Sequence, residues 1–231
     1  MFIITDKPTQ KQYENIEIIV APQGYEWSER LNYALGLVKT KYVFFTLDDY
    51  FLINKVKVDK ITDYLSLMDK RDVDYIRIFK RRKKFTEGRV ENYTELRWLP
   101  ENSDYAINFY PGIWKTNFLK FASRERRTAW QQEVSLKKAG LEYGAKCMVC
   151  MDDTVYEFLD VVRKGKLLRK ANSYFKTHDI YHGNRGVNSW FYETKLKVLD
   201  IGGLYAPRWM FKLAKRIMNS LGHHYFSDED F

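Results

Sequence analysis

The sequence predicts an α/β protein with a mostly parallel central sheet flanked by helices. Two observations carry this expectation. Between residues 2 and 79, short apolar runs alternate with helix-spaced segments in the order β, β, α, β, α, β, the pattern of strands joined by crossover helices. In addition, 45% of the 231 residues are hydrophobic and 16% are aromatic. That is enough to fill one sizeable core and still line a binding cleft, and it argues against disorder.

The elements follow in order. Residues 2–5, FIIT, are an apolar run ended by Asp6, Lys7 and Pro8, and read as a strand. Residues 16–21, IEIIVA, read as a second strand, closed by Pro22 and Gly24. Ser28 then reads as a helix N-cap, because Leu31, Ala34, Leu35 and Val38 follow at helical spacing. Residues 42–47, YVFFTL, read as a buried strand, and Val58, Ile61, Leu65 and Met68 repeat the helical spacing. Residues 74–79 are a strand again. The charge run KRRKK, residues 80–84, reads as a solvated loop or as a patch facing phosphate or membrane. Residues 86–104 are weakly patterned, as loop or irregular strand. Tyr110-Pro111-Gly112 is a turn into Ile113-Trp114-Lys115. Residues 128–139 read as a helix with Gly140 at its stop, and 147–151 and 154–162 as further strands.

The formal net charge of +9 points to anionic partners: nucleic acid, nucleotide phosphates or anionic lipid. Cys147 and Cys150 lie in the apolar run CMVCM with no second pair to complete a zinc site. The run reads as a reduced strand interior, which favours the cytoplasm. No stretch reaches the ~18 apolar residues that span a bilayer, and the opening MFIITDKPTQ lacks the basic and apolar regions of a signal peptide.

Asp48 and Asp49 stand at the end of the apolar run 42–47. Asp is depleted in strands and costly to bury unpaired. Two adjacent carboxylates repel unless donors or a cation hold them, and a divalent metal with oxygen ligands does so. The alternative is a solvated pair capping the next segment. Met151-Asp152-Asp153 repeats the dipeptide after another apolar run, so the pair alone discriminates little. Its context does more. In WSERLNYALGLVKTKYVFFTLDDYFL, residues 27–52, a capped amphipathic helix feeds a strand that ends in the acids.

This segment resembles the nucleotide-sugar-dependent glycosyltransferases of the GT-A fold, most of all the bacterial ones that build cell-surface polysaccharides. In them a helix carrying an Arg, here Arg30, precedes the strand that ends in a DxD-type motif. Leu47-Asp48-Asp49 occupies that motif, with a Leu where the first acid would stand. The resemblance implies Asp49 as the chief ligand of Mn²⁺ or Mg²⁺, Asp48 nearer the ribose or the metal's waters, and Arg30 on the donor. It extends over residues 2–185, within a catalytic domain of residues 1–190. The family's usual first strand and helix, whose loop holds the nucleotide base, have no counterpart ahead of residues 2–5.

Downstream, YPGIWK and then Trp130-Gln131-Gln132-Glu133 look like the acceptor half of such enzymes. Glu133 matches the acid that takes the acceptor's proton in inverting members; read alone, it is equally an exposed helix acid. Trp114 and Trp130 would stack on the acceptor sugar, or else fill the core. His182, in HDIYHGNRG, matches the late histidine that these enzymes add to the metal or diphosphate site, and Arg185 could hold phosphate oxygens. Both residues also admit a structural role.

Residues 191–231 read as a helical extension. Within it RWMFKLAKRIMNSL, residues 208–221, places its apolar side chains on one side and Arg208, Lys212, Lys215 and Arg216 on the other. That suits an anionic membrane surface or an ordinary packed helix with a basic outer face. The expected activity is metal-dependent, inverting transfer of a sugar from a nucleotide diphosphate sugar to a glycan or lipid-linked acceptor. The expected location is cytoplasmic, peripheral to the plasma membrane, with no nucleic-acid partner. A basic nucleic-acid-binding module and a catalytically inactive GT-A relative are the alternatives.

Overall fold

The computed structural model describes residues 1–180 and 183–205, with side chains up to residue 197. His182 and the segment 208–221 lie outside the described residues. The strands are β1 (Phe2–Thr5), β2 (Glu17–Val20), β3 (Tyr42–Phe45), β4 (Tyr50–Leu52), β5 (Tyr75–Arg77), β6 (Arg89–Val90), β7 (Tyr93–Trp98), β8 (Gly112–Lys115), β9 (Cys147–Cys150), β10 (Phe158–Asp160), β11 (Val162–Arg163) and β12 (Lys166–Leu167). The helices are α1 (Trp27–Leu37), α2 (Val58–Arg71), α3 (Thr116–Ala122), α4 (Ala129–Tyr143), α5 (Arg169–Thr177) and α6 (Trp190–Tyr205). Among the described residues no helix is long and apolar enough to cross a membrane.

Two compact units divide the chain. Met1–Leu47 and Val56–Tyr156 form the first; Asp48–Lys55 and the described residues from Glu157 form the second. The units therefore part at Asp48 and Glu157, not at the expected boundary of residue 190.

The first unit holds a six-stranded sheet in the order β3-β8-β5-β9-β7-β6. Only β5 and β9 pair in parallel; β3–β8, β8–β5, β9–β7 and β7–β6 are antiparallel. This corrects the expected mostly parallel sheet to a mixed, mostly antiparallel one. Local periodicity reports strands but not their partners. The weakly patterned residues after the charge run form the β6–β7 hairpin, and the Tyr110-Pro111-Gly112 turn feeds β8 between β3 and β5. β1 and β2 do pair in parallel, but as a separate two-stranded sheet. Because β3 and β5 are each antiparallel to β8, the strands β3, β5 and β9 all run one way. Their carboxyl ends share one edge, where α/β sheets place ligands.

Apolar layers cover both sheet faces. Tyr75, Trp114, Phe118, Leu136 and Val149 belong to one layer; Ile76, Ile113, Tyr64, Met68 and Met148 belong to the other. Cys147 lies in the first layer and Cys150 in the second. An odd spacing on a strand puts side chains on opposite faces, so the two thiols point away from each other.

Two helix boundaries differ from expectation. Ser28 does not cap α1. It is buried, its hydroxyl donates to the Glu125 carbonyl at 2.7 Å and accepts from the Arg127 N–H at 2.8 Å. The N-cap is Glu26, whose N–H donates to the Glu29 carboxylate at 2.8 Å, a capping box built from acids. Gly140 does not end α4. The helix runs on to Tyr143, and Gly144, at φ 70°, terminates it.

Gly112 is needed where Tyr75 crosses it. A Cβ there would lie 2.8 Å from Tyr75 Cε2 and 3.0 Å from the Ile76 carbonyl oxygen. Backbone cannot yield as a side-chain tip can. Gly112→Ala is expected to destabilise the fold by about 1–3 kcal/mol, read as a lower urea midpoint with an unchanged slope.

In the second unit β4 and β10 pair antiparallel, and β11 and β12 form a tight hairpin. The turn residues Lys164 and Gly165 have φ of 50° and 73°, the positive values of a two-residue hairpin turn that follows strand twist. Leu159, Val161, Leu167, Ala171 and Phe175 form its core.

Candidate active site

In the second unit the β4–β10 pairing brings two acids together. Tyr50 stands opposite Asp160, and the Asp49 carbonyl accepts the Val161 N–H at 2.9 Å. The β11–β12 hairpin holds Arg163, whose Nε and Nη2 donate to Asp160 Oδ2 at 3.2 and 3.1 Å. Asp49 is half-buried, and its Oδ1 is buried with no hydrogen-bond partner among the described residues. Burial chiefly, then the charges of Asp160 and Asp48, push its pKa up to about 6, while Arg163 opposes the shift. Burial also raises Asp160 above the usual carboxylate range, against the pull of Arg163. At Asp49 the charges of two neighbouring carboxylates are opposed by one guanidinium, a surplus of negative charge that a cation relieves.

The second Asp-Asp pair is the control. Asp152 Oδ1 accepts the Thr154 N–H at 2.9 Å and the Thr154 hydroxyl at 2.7 Å, and those bonds lower its pKa. Asp153 is paired with Lys80. Those acids are capping groups already satisfied by donors. The same dipeptide at Asp48-Asp49 contains an acid short of them.

In the first unit, α4 presents Glu133. Its start is fixed by Thr128, whose hydroxyl accepts the Gln131 N–H at 3.4 Å while its own N–H donates to Gln131 Oε1 at 3.0 Å. Glu133 is half-buried rather than an exposed helix acid. Burial raises its pKa, and the charge of Arg77 opposes that rise. Arg77, at the carboxyl end of β5, is 6% exposed and lies 4.7 Å over the Tyr110 ring.

The other expected site residues fall in different places. Trp114 is a correction: it is 0% exposed, with ring centroids 4.3 Å from Tyr75, 5.6 Å from Phe118 and 5.9 Å from Phe109. β8 lies inside the sheet with apolar layers on both faces, so its indole is core rather than an acceptor platform. Trp130, on the first turn of α4, is 66% exposed and open to a ligand. Arg30, in the first unit, donates from Nε to the Tyr25 carbonyl at 2.9 Å and lies 3.7 Å from Asp6. Asp48 and Arg185 are exposed in the second unit. The strand before the acids, β3, is an edge strand with Phe44 exposed, not a buried one.

Sequence reasoning missed Asp160, Arg163 and Arg77. The Lys164-Gly165 turn signal between VR and KL could have found the hairpin that carries Arg163. The others announce nothing locally. Among the described residues no group of three or more His, Cys, Asp or Glu side chains is arranged to hold a metal ion. Asp49 and Asp160 supply two carboxylates, and one or two is what Mg²⁺-type ions take from protein when phosphate oxygens and water complete the shell. No protein-family model matches the chain, and no curated protein matches it.

Proposed function

We propose that the protein is a metal-dependent glycosyltransferase that moves a sugar from a nucleotide diphosphate sugar to a glycan or lipid-linked acceptor with inversion. The observation that carries this reading is the buried, unpartnered Oδ1 of Asp49, in a carboxylate whose pKa is pushed up to about 6 by burial and neighbouring acids. Such a group is costly unless a cation meets it. Asp49 and Asp160 would hold Mn²⁺ or Mg²⁺, which when bound neutralises charge on a leaving diphosphate. Arg163 fixes Asp160 and keeps the two acids from being an unrelieved like-charge pair. Glu133, with its basicity raised by burial, takes the proton of the acceptor hydroxyl, and the exposed Trp130 offers a face to the acceptor sugar. Segment 208–221 would carry the enzyme to an anionic membrane surface, where a lipid-linked acceptor is met.

Asp49→Asn tests the acidic centre without relying on turnover. The folded pKa of about 6 exceeds the ordinary 3.8, so the folded state binds the proton more tightly. The charged carboxylate therefore costs stability increasingly as pH rises from the ordinary value through the folded one. In metal-free buffer at pH 8 the Asn variant is expected to be more stable than wild type by about 1–2 kcal/mol, with the difference gone below the ordinary pKa. Mn²⁺ with a nucleoside diphosphate should raise the wild-type melting temperature and leave the variant's unchanged. A variant that is less stable at pH 8, or equal metal stabilisation of both proteins, would sink the assignment. Full transfer activity in EDTA would count against it as well.

A further inference from the structure

The first unit contains a pair of arginines that lack what buried arginines need. Arg77 is nine-tenths buried, its Nε donates to the Phe79 carbonyl at 2.8 Å, and its guanidinium lies over the Tyr110 and Phe79 rings at 4.7 and 5.5 Å. Those two rings stack on each other at 4.7 Å. Arg81 donates from Nη2 to Ser103 Oγ at 2.9 Å and to the Asp104 carbonyl at 2.6 Å, and sits 5.3 Å over Phe85. Its Nη1 is buried with no hydrogen-bond partner among the described residues. Arg30, Arg71, Arg124, Arg126, Arg127 and Arg163 each pair with a carboxylate. Among the described residues neither Arg77 nor Arg81 does.

The charged neighbours do not close the account. The charges of Glu133 and Arg77 act on each other, but no ion pair joins them among the described residues. The Asp104 carboxylate is taken by Lys137 at 2.7 Å. Burial first, and then the charge of Arg77, lower the Arg81 pKa to about 10, because both disfavour the charged guanidinium. An unpaired buried charge is strongly unfavourable unless a counter-ion binds.

We infer that Arg77 and Arg81 form an oxyanion site for a phosphate group, with the stacked Tyr110 and Phe79 rings as its wall. The Arg77 and Arg81 charges act on each other, and together they match the nearly two negative charges of a phosphate monoester at neutral pH; the planar fork of donors fits phosphate oxygens. The site stands on its own geometry. Only the identity of its ligand rests on the transferase reading. The charge of Arg77 is felt at Glu133, so in that reading the acceptor carries a phosphate close to the hydroxyl it offers, and the arginines select for it.

The test titrates the full chain, in chelator-free and metal-free buffer without nucleotide, at constant ionic strength. Inorganic phosphate, a hexose phosphate and glucuronate are the probes, read by calorimetry and by melting temperature. Sedimentation with phosphatidylcholine vesicles, with and without phosphatidic acid, separates a lipid phosphate from a soluble one. Saturable binding of a phosphate probe is expected, weakened at least tenfold in Arg81→Gln and unchanged in Arg71→Gln. Arg81 is only half-buried, so its variant keeps the test usable if Arg77→Gln does not fold. No saturable phosphate binding, glucuronate binding as tightly as phosphate, or an Arg81→Gln variant equal to wild type would each overturn the inference. With no metal or donor present, none of these outcomes bears on Asp49, and a failure at Asp49 leaves this site intact.

Discussion

Glu133→Gln is expected to lower turnover in sugar transfer by about 10²–10⁴-fold, the usual worth of a positioned general base, while the donor KM stays within a few-fold. The amide keeps the size of the carboxyl group and its place on α4, so the loss reports proton transfer and not packing. A base must be ionised to act, so wild-type turnover should fall as pH drops through a pKa raised above the ordinary 4.5. The Gln variant should lose that acid limb altogether. A donor-binding step disturbed at Asp49 would instead change metal dependence and donor KM. Full turnover in Glu133→Gln, with the acid limb intact, would reduce Glu133 to a half-buried helix acid.

Trp114→Ala is expected to cost about 3–5 kcal/mol of stability, the range for deleting a large buried ring. The indole is wholly buried between Tyr75, Phe109 and Phe118, and a close-packed interior relaxes only partly around a void that large. Trp114→Phe should be far milder. The indole N–H is buried with no partner among the described residues, so Phe loses volume but also removes an unsatisfied donor. Urea unfolding measures both variants. A stability change in the Ala variant below about 1 kcal/mol, with a raised acceptor KM, would return Trp114 to the binding cleft against this assignment.

How far the sequence reveals the molecule depends on how local the determining interaction is. The helical spacing of Leu31, Ala34 and Leu35 and the apolar runs at β1, β2, β3 and β5 are local, and each element forms where it was expected. Strand partners are not local. β8 arrives from beyond the β6–β7 hairpin and inserts between β3 and β5, and nothing in YPGIWK states that destination. The same insertion decides which tryptophan is core: Trp114 is enclosed on both faces, while Trp130, on a helix surface, is open. At the acidic centre the carboxylates at the strand end are visible in the sequence. The feature that separates Asp49 from Asp152 is not, because Asp160 and Arg163 reach Asp49 only through β4–β10 pairing. Arg81 is hidden in another way. KRRKK as a whole reads as a solvated loop or a patch facing phosphate or membrane, and only the bonds of Arg81 to Ser103 and the Asp104 carbonyl single it out within the run.

The division of the chain at Asp48 and Glu157 has a consequence for the order of assembly. Chains are synthesised from the amino end, and compact units generally fold as their last segment emerges. All of the first unit's sheet lies at or before β9, so that unit has its strands while the carboxyl-terminal part is still being made. The strand that follows Asp49 does not. β4 waits, with its backbone groups unpaired, for β10, and Asp49 keeps an ordinary solvated carboxyl until Asp160 arrives. The acidic centre is therefore the late-born part of the protein. A nascent or prematurely ended chain would carry a folded sheet with a loose acidic loop.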